Sequence, residues 1–239
     1  MANYGLQLYS VRDITSTDLK GTLKKVAELG YKYMEFAGFF DNSAEDVKSW
    51  LDEYGLTVTG THTGLAALDN DFEGTVKYHK TIGCYDLIVP AAPVNTKAEV
   101  DALVDKMNMY NEKLAKEGIR LHYHNHHREF MPNADGVIAN EELLKRTNIL
   151  FEIDTYWAYV AKRNPIEVLD TYGKRVKFIH LKDGNSEGKG VSLGQGTAPV
   201  AAVLKKALIE GYGVIVESEG LEPTGLEEVG RCMDFLKKQ

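Results

Sequence analysis

Long hydrophobic runs are missing from this 239-residue chain; nothing approaches the roughly 18 consecutive apolar residues that a membrane-spanning helix needs. Cysteine is scarce. Cys84 and Cys232 are too few for a disulfide framework, and neither stands in a CxxC pair. The opening Met-Ala-Asn-Tyr lacks the basic stretch and small-residue cleavage site of a secretory signal, which together with the cysteine usage predicts a reducing, cytoplasmic setting. Positive charge is in deficit, with 28 Lys and Arg against 35 Asp and Glu and a formal net charge of −7. That balance argues against a surface tracking nucleic-acid phosphates, so neither nucleic acid nor membrane is expected as a partner. Low-complexity tracts and linkers are absent as well, and one domain over residues 1–239 is expected.

What is present is a recurring passage in which an amphipathic stretch ends at glycine and a short β-rich apolar run follows. Gly30 precedes "YKYMEF", Gly55 "LTVTGTH", Gly83 "CYDLIVPA", Gly118 "IRLHYH", Gly173 "KRVKFIHL" and Gly211 "YGVIVES". Glycine tolerates the left-handed conformation that ends a helix. In the long interval between Gly118 and Gly173, Asn148 is expected to do the same before "ILFEID". Helix starts are expected at Ser43 with Asp46, Asn140, Asn164-Pro165 and Thr197 with Pro199. With "YGLQLYS" as the first strand and "LEEVGRCMDFLKKQ" as the last helix, eight strands alternate with eight helices. Right-handed parallel crossovers of that number predict an α/β fold closed as a (β/α)8 TIM barrel. An open doubly wound sheet would carry a Gly-rich turn after its first strand, where this chain reads "SVRDITS".

In such a barrel chemistry belongs at the C-terminal strand ends. Those ends offer Gln7, Glu35 and His62 on the first three strands, then a bland Pro90-Ala91-Ala92. The polar load lies on the last four: His122, His124 and His126; Glu152 and Asp154; His180, Lys182 and Asp183; Glu217 and Glu219. Alternation turns Phe151, Ile153, Ile179, Leu181 and Val216 outward, so Asp154, His180, Lys182, Glu217 and His124 turn inward. Neighbouring strands lie about 4.8 Å apart, close enough for four tips to share one ion. His124, Asp154, His180 and Glu217 are the expected donors. Imidazole mixed with carboxylate suits one divalent ion, Mn²⁺, Zn²⁺, Co²⁺ or Fe²⁺, with Mg²⁺ less well matched. His122 reads as a core or supporting residue, and His127 and Arg128 as solvated loop. Trp157 could stack on a sugar or pack beneath its loop. "GQGTAP" puts flexible backbone before a helix start, a weak anion signal that an ordinary junction would also give.

The segments "LQLYSVR", "GTHTGL", "YHNHHREF", "EIDTYWA", "HLKDG" and "VIVESE", in that order, resemble the strand-end motifs of the xylose isomerase-like sugar phosphate isomerase/epimerase family over essentially the whole chain. The resemblance implies one divalent metal held by His124, Asp154, His180 and Glu217. Family epimerases carry glutamate at the position of His124 and use it as a second base. Here Glu129, five residues on, matches a downstream family glutamate, so His124, His126 or Glu129 could supply the fifth-strand ligand. Many relatives have histidine where Trp157 stands.

A sugar or sugar phosphate isomerase/epimerase working through a metal-stabilised enediolate is the leading expectation. Glu217 is expected as base, with Glu129 or His126 returning the proton on the opposite face and Lys182 stabilising an oxyanion or binding phosphate. A salt bridge from Lys182 to Asp183 or Glu152 is the alternative. Gln7, His62, His126 and Trp157 are expected to bind substrate. A dehydratase on a keto-sugar or keto-polyol is the second reading, an endonuclease IV-like repair enzyme a distant third, and a sugar sensor without turnover stays open. Met107, Met109 and Tyr110 suggest either self-association as a homo-oligomer or packing against the barrel.

Overall fold

The computed structural model describes residues 3–239. Eight parallel strands close into a barrel in chain order: β1 (Gly5–Gln7), β2 (Tyr33–Phe36), β3 (Thr57–His62), β4 (Asp86–Val89), β5 (Arg120–His124), β6 (Leu150–Asp154), β7 (Val176–Leu181) and β8 (Gly213–Val216), which pairs back to β1. The main helices are α1 (Leu19–Leu29), α2 (Ala44–Tyr54), α3 (Phe72–Ile82), α4 (Lys97–Lys116), α5 (Ala139–Arg146), α6 (Pro165–Tyr172), α7 (Val200–Glu210) and α8 (Gly225–Leu236). The expected (β/α)8 barrel is the observed fold. Outward strand residues such as Leu6, Met34, Leu87, Leu121, Phe151, Ile179 and Val214 form one buried layer with the helices. Inside the barrel, small residues face large ones: a Cβ on Gly5 would lie 2.4 Å from Ile215, and one on Gly213 2.5 Å from Phe178. This fills the lower barrel with side chains and leaves the polar tips at one end. Met107 and Tyr110 are buried against the barrel, whereas Met109 is exposed. No helix among the described residues is long and apolar enough to cross a membrane.

All six glycines singled out as helix terminators have positive φ. Asn148 does not: α5 ends at Arg146 and Thr147 is extended, with φ −127°. Arg175 closes this passage instead, its guanidinium donating to the carbonyls of Leu144 (3.1 Å) and Ile149 (2.6 Å) and to the Thr147 hydroxyl (3.2 Å). A side chain from the next passage thus satisfies carbonyls that a left-handed residue would otherwise help to cap. Ser43 and Asn164 cap their helices as expected. Asn140 lies inside α5, which begins at Ala139, and Thr197 turns its hydroxyl to the carbonyl of Gly184 while α7 starts at Val200.

Below the site, Asp86 on β4 ties two β5 residues together. It accepts from Arg120 at 2.7 and 2.5 Å and pairs with the buried His122 ring at 2.7 Å. Burial pushes the Asp86 carboxyl up, but His122 and Arg120 more than offset it and hold the group below the ordinary aspartate value. Its stabilisation is therefore present above the unfolded value and lost as pH falls through the lower folded one. Asp86→Asn is expected to cost about 1–3 kcal/mol near neutral pH. Urea unfolding of both proteins near pH 7 and near pH 3 checks this: the gap should narrow in acid, where the aspartate begins to be protonated.

Candidate metal centre

Strands β5, β6 and β7 place His124, Asp154 and His180 at their tips, and Glu217 follows the last residue of β8. Asp154 and His180 are register partners across β6 and β7. All four are buried, and each offers one donor atom within 4.8 Å of the others. His180 Nδ1 lies 3.0 Å from Glu217 Oε2 and 4.0 Å from Asp154 Oδ2. The tip of β6 is braced by Asn125, whose amide donates to the carbonyl of Asp154 (3.1 Å) and accepts from its N–H (3.2 Å). Asp154 in turn caps the helix Thr155–Val160 through Oδ1, which accepts from the Trp157 N–H at 2.8 Å. That leaves Asp154 Oδ2 buried without a hydrogen bond, and His124 Nδ1 likewise, although Glu152 Oε2 stands 3.2 Å from the latter at a poor angle.

Lys182 enters the same space. Its Nζ donates to Glu219 (2.7 Å) and Glu217 (3.0 Å), lies 3.4 Å from Asp154 Oδ2, and sits 4.8 Å from the Trp157 ring centre. Its carboxylate partners are therefore Asp154, Glu217 and Glu219, not Asp183 or Glu152. Beneath the tips lie Glu35, Glu152 and His62. His62 Nε2 is 2.9 Å from Glu152 and 3.2 Å from Glu35. The carboxylates of Glu35, Glu152, Asp154, Glu217 and Glu219 thus face one ammonium and a set of imidazoles.

The protonation equilibria follow from that crowding. Burial drives Asp154 up to about 6, reinforced by Glu217 and opposed by Lys182 and His180. Burial would also raise Glu217, but Lys182 and His180 overcome it and hold the carboxyl well below its ordinary value. His180 is pushed down by burial and pulled further up by Glu152, Glu35 and Glu217, so it stands well above the ordinary imidazole value. His124 has less carboxylate help, and burial keeps it well below that value. A buried, acid-rich cage of imidazoles and carboxylates with Asp154 Oδ2 left unpartnered fits a divalent cation bound by mixed nitrogen and oxygen donors.

The remaining expected residues are spread around this cage. His126 and Trp157 are half-buried over it, their rings 5.1 Å from His124 and 5.9 Å from His126 respectively. Gln7 is buried and turned to Glu35, donating at 2.6 Å, while its carbonyl oxygen accepts from the Tyr9 N–H. Glu129 stays outside the cage: its carboxylate takes the His126 N–H (2.9 Å), the Arg128 side chain (3.1 Å) and the Tyr123 hydroxyl (3.4 Å). His127 and Arg128 are exposed. The glycine-rich loop after β7 is already occupied by an internal anion. Asp183 accepts from the amides of Gly184, Gly194, Gly196 and Ala198, while those of Gln195 and Thr197 go to the carbonyls of Ser192 and Gly184. The weak anion signal read from this loop therefore reflects Asp183. Sequence reasoning placed Glu35 and Glu152 at strand ends without giving them a part in the site and did not single out Asn125; inward strand phase was the one signal pointing to the two glutamates.

Comparison with known proteins agrees with this architecture. The pattern of the xylose isomerase-like TIM barrel family matches residues 23–239. An inosose dehydratase of Geobacillus kaustophilus is 25% identical over 186 residues, 67% of this chain and 60% of that protein. The chain thus spans about 60% of the length of this curated relative. A sugar phosphate isomerase/epimerase from Parabacteroides distasonis superposes with a TM-score of 0.84 at 24% identity, covering 98% of this chain and 93% of the other. A D-allulose 3-epimerase from Methylomonas sp. does so at 0.76 and 15% identity, covering 99% and 97%. With its closed eight-stranded barrel and a match over most of its length, the chain belongs to the xylose isomerase-like TIM barrel family.

Proposed function

We propose that this chain is a divalent-metal-dependent isomerase of the isomerase/epimerase class, moving a proton at the carbon beside a sugar carbonyl. The observation that carries the reading is the position of Glu217. It is the most accessible of the four donors, at 7% exposure, and its Oε2 lies 3.0 Å from both His180 Nδ1 and Lys182 Nζ. A divalent ion held by His124, Asp154, His180 and Glu217 would polarise the substrate carbonyl and lower the acidity barrier at the neighbouring carbon. Glu217, held ionised by Lys182 and His180, takes the proton. Lys182 stays charged under three carboxylates and donates to oxygen that gains negative charge. His126 and Trp157 form the roof, where Trp157 offers an aromatic face to a sugar ring and excludes water.

Glu129 bonds to Tyr123, Arg128 and a backbone amide, so Glu217 is the carboxylate base within the cage. That favours one-base chemistry. Returning the proton to the adjacent carbon gives aldose-ketose isomerisation. Expelling a β-hydroxyl instead gives dehydration, the second reading, which the similarity to inosose dehydratase also supports. Incubation with keto-sugars in deuterated water separates the two: exchange at carbon with a product isomeric with the substrate supports isomerisation, whereas loss of water with a new ultraviolet absorbance supports dehydration.

Elemental analysis of the purified protein is expected to find stoichiometric divalent metal, and Asp154→Asn is expected to lose it. Equal metal content in the two proteins would contradict the ligand assignment. On a substrate that is turned over, Glu217→Gln is expected to lower kcat by roughly 10²- to 10⁴-fold. Full turnover by that variant with metal still bound would remove Glu217 as the base.

A further inference from the structure

Glu35 and Glu152 lie beneath the proposed ligands, on strands β2 and β6, both fully buried. Glu35 Oε1 is 2.7 Å from His180 Nε2 and accepts from Gln7 Nε2 at 2.6 Å. Glu152 Oε2 is 2.9 Å from His62 Nε2, 3.1 Å from His180 Nε2 and 3.2 Å from His124 Nδ1. Each of the three imidazoles therefore turns one nitrogen toward this acidic pair. A carboxylate only accepts, and a neutral imidazole carries one N–H, so the nitrogen facing the pair is the one that keeps its hydrogen. The other nitrogen is the one left to give its lone pair to an ion. For His180 that is Nδ1, which faces the Glu217 carboxylate at 3.0 Å and carries a proton of its own until an ion takes that place; for His124 it is Nε2.

The local backbone is shaped around these carboxylates. Strand register shifts between Met34 and Glu35 where β2 meets β3, and between Phe151 and Glu152 where β6 meets β7. Such irregularities re-aim side chains beside functional sites. Gly60 on β3 keeps space open next to the first carboxylate: a Cβ there would lie 3.4 Å from Glu35 Oε2 and 2.3 Å from Ile88 Cδ1. Gln7 is held with its amide nitrogen toward Glu35 because its oxygen accepts from the Tyr9 N–H at 3.0 Å. His62 Nε2 stands between the two glutamates, at 2.9 and 3.2 Å, where it relieves their mutual repulsion.

We propose that Glu35 and Glu152 are positioning residues: a buried acidic platform, braced by Gln7 and His62, that fixes the tautomer and ring orientation of both histidine ligands. It presents Nδ1 of His180 and Nε2 of His124 to the ion, and it rests on the metal-centre reading above. Carboxylates in this outer position also raise the basicity of the histidine they hold.

The direct test is long-range ¹H–¹⁵N NMR of histidine-labelled wild-type protein loaded with equimolar Zn²⁺. The expected spectrum has His180 bound through Nδ1 and protonated at Nε2, with His124 the reverse; Zn²⁺ on Nε2 of His180 would overturn the platform. Chelator competition provides the second measurement. Glu35→Gln and Glu152→Gln are each expected to weaken Zn²⁺ binding roughly 10- to 100-fold while the metal-free circular dichroism stays at wild type. Folded variants that bind Zn²⁺ as tightly as wild type would overturn the platform alone; wild-type protein that binds no Zn²⁺ would overturn the metal centre itself. Should the glutamine variants not fold, the wild-type tautomer assignment decides.

Discussion

Carboxylates concentrated at one end of a barrel, away from water, are the constraint that organises this molecule. Glu35, Glu152, Asp154, Glu217 and Glu219 come from three strands or their continuations, and four of them are buried. Charges so placed persist only where positive groups and donors are arrayed around them. Lys182 and the imidazoles of His62 and His180 are therefore as much part of the fold as of the chemistry. Asp154 shows the limit of this compensation: burial, with Glu217 beside it, pushes its carboxyl up to about 6 although Lys182 and His180 oppose the shift.

The lower half of the barrel makes this arrangement possible. Large residues such as Phe178, Ile215 and Ile88 meet glycines on the neighbouring strands, so the interior is filled without polar atoms from those positions. Asp86, His122 and Arg120 form a separate ion pair network at the opposite end of β4 and β5 from the site. The tips are thereby isolated in a low-dielectric setting, where a donor aimed at a developing charge acts strongly.

Much of this was legible in the residues. Glycine-terminated passages marked the strand starts because helix ends need a conformation that few residues accept, and strand alternation identified His124, Asp154, His180 and Glu217 as inward. The Arg175 closure after α5 was not legible, since a guanidinium reaching back from the following passage leaves no local mark. Glu35 and Glu152 were visible as strand-end residues, but which imidazole nitrogen each faces depends on register shifts that sequence periodicity does not encode. Glu129 looked close in sequence to the histidines, but a turn of 3-10 helix over Arg128–Phe130 carries it away to Tyr123.

The loop following β7 spends its own backbone donors internally. From Gly194 through Ala198 every amide hydrogen is committed, three to Asp183 and two to carbonyls. A phosphoryl group arriving at that rim would find the nest already filled by the chain's own aspartate. Between Gly194 and Ala198 the chain therefore keeps no backbone amide for an incoming anion.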